Sequence, residues 1–378
     1  MIPQLAFVGA ASAIFLAIIQ YFYQAWQEEK SLAHVPTHRF SDGDDSRKRY
    51  LTDLKSLLES GYRRYNKNGQ PFKVVIPVGG YSVKYRVILP KSYLEEIKHL
   101  SNSVFSWQLA SRIIFAQDYT GAPDRGPWSG KALRVGIHQN LGDITTQLDK
   151  RITAYFGQNL PQERGNAAII NLMEFFVPTI TCVTNALLVD QRLSSDPEWL
   201  RQTSEFAVNR YKAADDVREW PPYLAGLIAP FIPSVKNLRN QRKYVMQKMK
   251  PLYDDLKAQN LLGADDKKKH QRGTFGYQWL WGGAPDNVTL EDFSDTMMRT
   301  LIASIHTTAK TISVAFIDLL TQPEFVAELK AEARGAVNED GCSINLDRLV
   351  KLDCFLKESQ RLSPVFLCRY CLVSDEQG

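Results

Sequence analysis

From Thr289 to Leu320 the chain keeps one helical apolar pattern without a break, and this run constrains the fold more than any other feature. Thr289-x-x-Asp292 is a capping-box-like start, with hydroxyl and carboxylate spaced to satisfy the orphan amides of a first turn. The pattern predicts a long, buried helix. Yet its middle, "LIASIHTTAKTISV" (Leu301 to Val314), carries Ser304, His306, Thr307, Thr308, Lys310 and Thr311 among apolar neighbours. On a helix, Thr300, Ala303, Ser304, Thr307 and Thr311 share one face. All five are small or hydroxyl-bearing. Two readings stand. The face admits a flat ligand or another backbone, with hydroxyls that bond the i−4 carbonyl, loosen the ladder and help a water relay protons. Or the face packs against another helix and its threonines satisfy themselves. His306 is likewise either a hydrogen-bonded core histidine or a proton carrier.

The 378 residues, 44% hydrophobic and 23% charged, suffice for one large domain or two medium ones with a substantial core. The net charge of +5 is mild and scattered, so the basic stripe of a nucleic-acid binder is absent. Five cysteines, Cys182, Cys342, Cys354, Cys368 and Cys371, are odd in number and irregular in spacing, which argues for a reducing compartment. Cys368-x-x-Cys371 is half of a zinc pattern or two reduced thiols; no second pair has matching spacing. No metal site is expected.

Leu5 to Tyr23 reads "LAFVGAASAIFLAIIQYFY", without a charge. Residues 1–26 are therefore expected to form an N-terminal transmembrane helix. A cleaved signal peptide is the competing reading, but it favours a basic start, and no Lys or Arg precedes Lys30. Tyr21, Phe22, Tyr23 and Trp26 suit a membrane–water interface. Lys30, Arg39, Arg47, Lys48 and Arg49 suggest that the chain beyond them is cytosolic. Residues 27–50 read as a polar linker, and 51–378 as the body of the protein.

Within that body, an amphipathic helix ends near Gly61 to Gly69. "FKVVIPVGGYSVKYRVILPK" is a hairpin around Gly79-Gly80. Strand signals then nearly vanish. Helical patterns cover Lys131 to Val189, broken near Gly157 and Pro161, and Trp199 to Tyr211. Trp220 to Pro233, apolar but interrupted by four prolines, is either a buried loop or one that dips into a bilayer. Ser234 to Asn260 is a basic helix whose Lys236, Arg239, Arg242, Lys243, Lys248 and Lys250 read as a solvated face. Pro323 opens a helix that stops at Gly335, and Asn345 to Leu362 is helical again. The whole is mainly α with a small β-sheet.

In that last helix, "FLKESQRLSP" holds Glu358-x-x-Arg361, spaced for an ion pair on one face. Together with "ASIHTTAKT", it resembles the cytochrome P450 family of haem-thiolate monooxygenases, and most closely its membrane-anchored fungal branch of secondary metabolism. "GGYSVKYRVILPKSYLEEIKHLSNSVFSW" and "QDYTG" resemble that branch's early sheet, following helix and pocket-roofing loop. The resemblance covers nearly all of the chain after the anchor and implies a P450-like α+β fold. It implies a haem-dependent monooxygenase in the endoplasmic reticulum membrane, single-pass, with the catalytic domain cytosolic. Such an enzyme uses O2 and electrons from NADPH-cytochrome P450 reductase to oxidise a lipophilic terpenoid, polyketide or alkaloid. Nucleic acid is not an expected partner.

The resemblance assigns Thr307 to proton delivery, Ala303 and Ser304 to making room over the haem, and Thr308, beside them in the motif, to binding the cofactor. His306 stands where the wider family has an acid, and a histidine can also relay a proton. Arg134 and His138, at i and i+4, stand where the family contacts haem carboxylates; surface placement is the alternative. Glu358 and Arg361 match a structural pair. The family's Phe-x-x-Gly-x-x-x-Cys context for the axial thiolate is not found in this sequence. The expectation is therefore a domain lacking its C-terminal haem-ligand region, with a catalytically inactive relative as the alternative function.

Overall fold

The computed structural model describes residues 2–77, 85–101, 104–122, 126–160, 169–260, 273–338, 344–365 and 373–374. In chain order the elements are α1 (Ile2–Ser31), α2 (Arg47–Arg64), β1 (Phe72–Val75), β2 (Tyr85–Ile88), α3 (Leu94–Ile97), β3 (Phe105–Ser106), α4 (Trp107–Ile114) and α5 (Gln117–Thr120). Then come α6 (Ser129–Gln139), α7 (Leu141–Asn159), α8 (Leu172–Leu188), α9 (Gln191–Ser194), α10 (Pro197–Arg218), α11 (Pro222–Ile228) and α12 (Pro233–Asn260). The last are α13 (Gly276–Gly283), α14 (Leu290–Thr321), α15 (Glu324–Ala336), α16 (Val350–Leu362) and β4 (Val373–Ser374). The expectation of a mainly helical chain with a small sheet holds.

The chain divides into two compact units. The first comprises residues 1–122, 209–239 and 367–378. Among its described residues it holds two antiparallel pairs: β1 with β2, Phe72 opposite Ile88 and Val75 opposite Tyr85, and the short β3 with β4, Phe105 opposite Ser374. The Gly79-Gly80 turn expected between β1 and β2 lies outside the described residues. Helix α2 starts where Ser46 accepts from the Arg49 amide, and it buries Tyr50, Leu57 and Gly61 at helical spacing. These meet Phe40, Phe72 and Val74 in one apolar cluster. Gly61 is required there: a Cβ would come within 2.4 Å of the Phe72 ring.

Residues 27–50 are not a free linker. Helix α1 runs on to Ser31, Thr37 bridges to Lys73, and Val35, His38 and Phe40 are buried. Isolated apolar residues in a polar stretch suffice to seat it on β1. Trp220 to Pro233 is likewise more ordered than a loop: α11, opened by Pro222, and a tight turn over Ala229–Phe231. Ala225 and Ala229 are buried, whereas Leu227 and Phe231 are exposed.

The second unit comprises residues 123–208 and 240–366. Helix α14 begins with the expected capping box: the Asp292 amide donates to Thr289 Oγ1 and the Thr289 amide to Asp292 Oδ2. It then continues for 32 residues, burying Phe293, Met297, Leu301 and Ile305 at four-residue steps. By length and apolarity α14 could also cross a bilayer, but it packs on α8, where the Phe176 and Phe316 rings meet edge to face at 6.3 Å. Helices α6 and α13 approach unusually closely. A Cβ on Gly136 would lie 2.3 Å from Trp279 Cγ, and one on Gly283 would lie 2.4 Å from Ala132 Cβ. The expected stop at Gly335 comes one residue later, at Ala336.

Candidate functional site

The centre of α14 carries its hydroxyls as a ladder. Thr300 Oγ1 donates to Thr296 O (2.9 Å), Ser304 Oγ to Thr300 O (2.7 Å), Thr307 Oγ1 to Ala303 O, and Thr311 Oγ1 to Thr307 O (2.8 Å). Each hydroxyl satisfies itself on its own helix, as the packing reading expects. The five residues do not share one environment, however. Thr300 is buried, Ser304 half-buried and Ala303 exposed. Ala303, Thr307 and Lys310, at i, i+4 and i+7, form one stripe, exposed at Ala303 and Lys310 and half-buried at Thr307. A flat ligand laid on this stripe would meet a methyl group and a hydroxyl whose proton is already directed at a carbonyl. Thr308 is exposed too, about a quarter-turn away.

His306 turns away from the stripe. Its Nε2 lies 2.8 Å from the carbonyl oxygen of Ser204 on α10. With Nε2 as donor, Nδ1 is the acceptor nitrogen.

The remaining site residues stand on other helices of the same unit. Arg134 and His138 lie one turn apart on α6, both exposed, and among the described residues neither makes an ion pair. Packing dictates this orientation, because Ala132 and Gly136 face α13 and leave 134 and 138 outward. Glu358 and Arg361 form a two-pronged pair on α16, at 2.7 Å and 2.6 Å, with both side chains exposed. Next to them Ser359 is buried and donates to Asp318 of α14 at 2.5 Å. Of the described cysteines, Cys182 is half-buried on α8 and Cys354 is exposed on α16. Cys342, Cys368 and Cys371 lie outside the described residues.

Three polar contacts are not legible in the sequence. Ser204 as the partner of His306 carries no pattern at all, since the contact is through its backbone. Lys310 Nζ donates to Val365 O at 3.3 Å. Arg242 does not lie on a solvated face as its basic helix suggests; its Nε donates to Asp295 Oδ1 at 2.8 Å and its Nη2 to Glu291 at 2.5 Å. Burial pushes the Asp295 carboxyl above its usual range, against the pull of Arg242. Arg239 and Lys248 are engaged as well, on Tyr119 O and Asp196, while Lys236, Lys243 and Lys250 stay exposed.

Comparison with known proteins places the chain in a family. Cytochrome P450 monooxygenase ccsG of Aspergillus clavatus is 29% identical over 89% of this chain and 66% of its own length. The pyrichalasin C-7 hydroxylase of Pyricularia grisea is 28% identical, over 89% of this chain and 66% of its own. The chain thus spans about two thirds of the length of the curated relatives it matches. Among solved structures, retinoic acid-bound cyanobacterial CYP120A1 shares the fold, with a TM-score of 0.56 at 13% identity, covering 87% of this chain and 69% of that one. The sequence model of cytochrome P450 matches residues 130–372, more than half of the chain and all of the α14 and α16 motifs; the chain belongs to the cytochrome P450 family.

Proposed function

We propose that the chain serves a haem-dependent monooxygenase that oxidises a lipophilic secondary metabolite, such as a terpenoid, polyketide or alkaloid. The reading takes O2 as co-substrate and NADPH-cytochrome P450 reductase as electron donor. The observation that carries it is the centre of α14, where Ala303 is exposed and Thr307, one turn on, is half-buried with its hydroxyl bonded back to Ala303 O. Fungal relatives named as monooxygenases and a hydroxylase support it.

Cytochromes P450 bind haem, and the family resemblance gives Ala303, Arg134 and His138 the positions that meet the macrocycle and its carboxylates. Ala303 leaves room for close approach. Arg134 and His138, both exposed one helical turn apart, offer N–H donors suited to carboxylates. When bound, the haem supplies the O2-activating iron.

The protein's own part is positioning and proton handling. Thr307 Oγ1 donates to Ala303 O, so its lone pairs stay available on the stripe to receive a proton from water. His306, held by Ser204 O, ties this part of α14 to α10. Ser304 is tied to Thr300 O and acts as a small spacer. Thr308 flanks the motif. The Glu358–Arg361 pair fixes the last turn of α16, next to the Ser359–Asp318 bond that joins α16 to α14.

Attachment to the endoplasmic reticulum membrane, through one helix and with the body cytosolic, belongs to the same reading. The exposed side chains of α1 include Phe15, Leu16, Ile19, Phe22, Tyr23 and Trp26, an apolar surface that water does not favour.

Haem titration of the purified chain tests the proposal, with the reduced carbon monoxide spectrum as readout. A thiolate-type Soret band supports it. A histidine-type band, or no uptake, sinks it for this chain and favours the inactive relative instead.

A further inference from the structure

Helix α2 carries charges that the function above does not use. Ser56, Glu59, Ser60 and Arg63, at i, i+3, i+4 and i+7, share one face of the helix. Together with Arg64 they line a cavity of about 410 Å³. Glu59 stands four residues before Arg63, the order and spacing in which an acid and a base on a helix pair best. On the same helix Arg49 and Asp53, also four apart, do close, at 2.7 Å. Glu59 and Arg63 do not: among the described residues neither they nor Arg64 make an ion pair. The Arg64 guanidinium lies instead over the Tyr65 ring, 5.4 Å from its centre. Arginines in a last turn offset the helix dipole, but that leaves the facing carboxylate without an explanation. The two hydroxyls of the cavity spend their protons on their own helix. Ser56 Oγ donates to Asp53 O at 2.8 Å and Ser60 Oγ to Leu57 O at 2.9 Å. Ser60 Oγ also accepts from Nε2 of the buried His38, at 2.7 Å. Ser56 is therefore left with lone pairs to offer, beside the Glu59 carboxylate.

We propose that this cavity binds a phosphoethanolamine group, with the phosphate on Arg63 and Arg64 and the ammonium on Glu59 and Ser56. The planar forks of two arginines match the several acceptor oxygens of a phosphate. An ammonium brings only donors, and the Glu59 carboxylate and the Ser56 hydroxyl are the acceptors that serve it. A simple anion would meet repulsion from Glu59, and a simple cation repulsion from the arginines. A ligand with both charges a short chain apart satisfies the two ends of the cavity at once. The group reaches the cavity as a membrane lipid headgroup or as the free phosphomonoester. The site needs neither haem nor substrate.

Calorimetric titration of the full chain in phosphatidylcholine nanodiscs tests this, with O-phosphoethanolamine and with inorganic phosphate, in the wild type, Arg63→Gln and Glu59→Gln. The wild type should bind phosphoethanolamine about fivefold more tightly than phosphate, the scale of one exposed ion pair. Arg63→Gln should weaken both ligands, and Glu59→Gln should weaken phosphoethanolamine alone and bring the two level. Both side chains are exposed, so the variants should fold, and circular dichroism checks that they do. A wild type that binds the two ligands alike, or neither, overturns the proposal, as does a folded Glu59→Gln that keeps the preference. A second set of nanodiscs, containing phosphatidylethanolamine, identifies the source. A lipid headgroup in the cavity makes added phosphoethanolamine bind more weakly there than in phosphatidylcholine alone; an unchanged affinity assigns the site to the free phosphomonoester.

Discussion

His306 Nε2 reaches the carbonyl oxygen of Ser204 at 2.8 Å, joining the centre of α14 to α10 across 102 positions of sequence. Because Ser204 O belongs to a helix, the bond adds to a carbonyl rather than completing one. Its loss should be modest. His306→Ala is expected to destabilise the chain by about 1 kcal/mol, and His306→Gln, which can still donate, by less. Urea denaturation of the three proteins measures the difference. Equal losses in both variants would show that the ring's packing, not its hydrogen bond, matters.

Arg242 with Asp295 should be the costliest polar pair to break. Arg242→Met leaves a largely buried carboxylate without its partner, and about 3 kcal/mol of stability should go. The double variant Arg242→Met with Asp295→Leu should recover a good part of it, because the charge is gone. Thermal unfolding of single and double variants decides: a double variant no better than the single would contradict the pairing.

Gly136 and Trp279 test close packing. A methyl group at 136 would lie 2.3 Å from Trp279 Cγ, so Gly136→Ala must push α6 away from α13. Overpacking of this kind costs about 1–3 kcal/mol. Near-ultraviolet circular dichroism of the buried indole should change along with the unfolding midpoint. An unchanged midpoint would mean that the two helices separate freely.

The first turn of α10 carries the clearest acid-side dependence. Arg201 and then Gln202 donate to Glu198 and hold its carboxyl down to about 2, against an ordinary 4.5. A depressed acid contributes stability above its unfolded value and loses it as pH falls through the folded one. The contribution of Glu198 should therefore fade between about pH 4.5 and 2. Glu198→Gln should remove that part of the pH dependence, lowering stability somewhat near neutrality and leaving it unchanged below about pH 2. Acid titration followed by circular dichroism, comparing the two proteins, reads it directly.

The long helix α14, its capping box, the α16 ion pair and the sparse sheet were all determined by local sequence, because each depends on spacing along one element. Thr289 needs only Asp292, and Glu358 only Arg361, three residues away. The hydroxyls of α14 were legible for the same reason, since their acceptors lie four residues back. Tertiary structure decided which way each side chain faced. The single apolar stretch around Thr307 contains residues for three directions: Ile305 into the core, His306 to Ser204, and Ala303 and Lys310 to the exposed side. Arg242 turns from solvent to Asp295, and residues 27–50 form a packed strap rather than a linker, because their partners come from distant segments that no periodicity announces. Local hydrogen bonds and helical spacing fix what an element is; burial against a remote partner fixes which of its faces does the work, and that depends on the whole chain being folded.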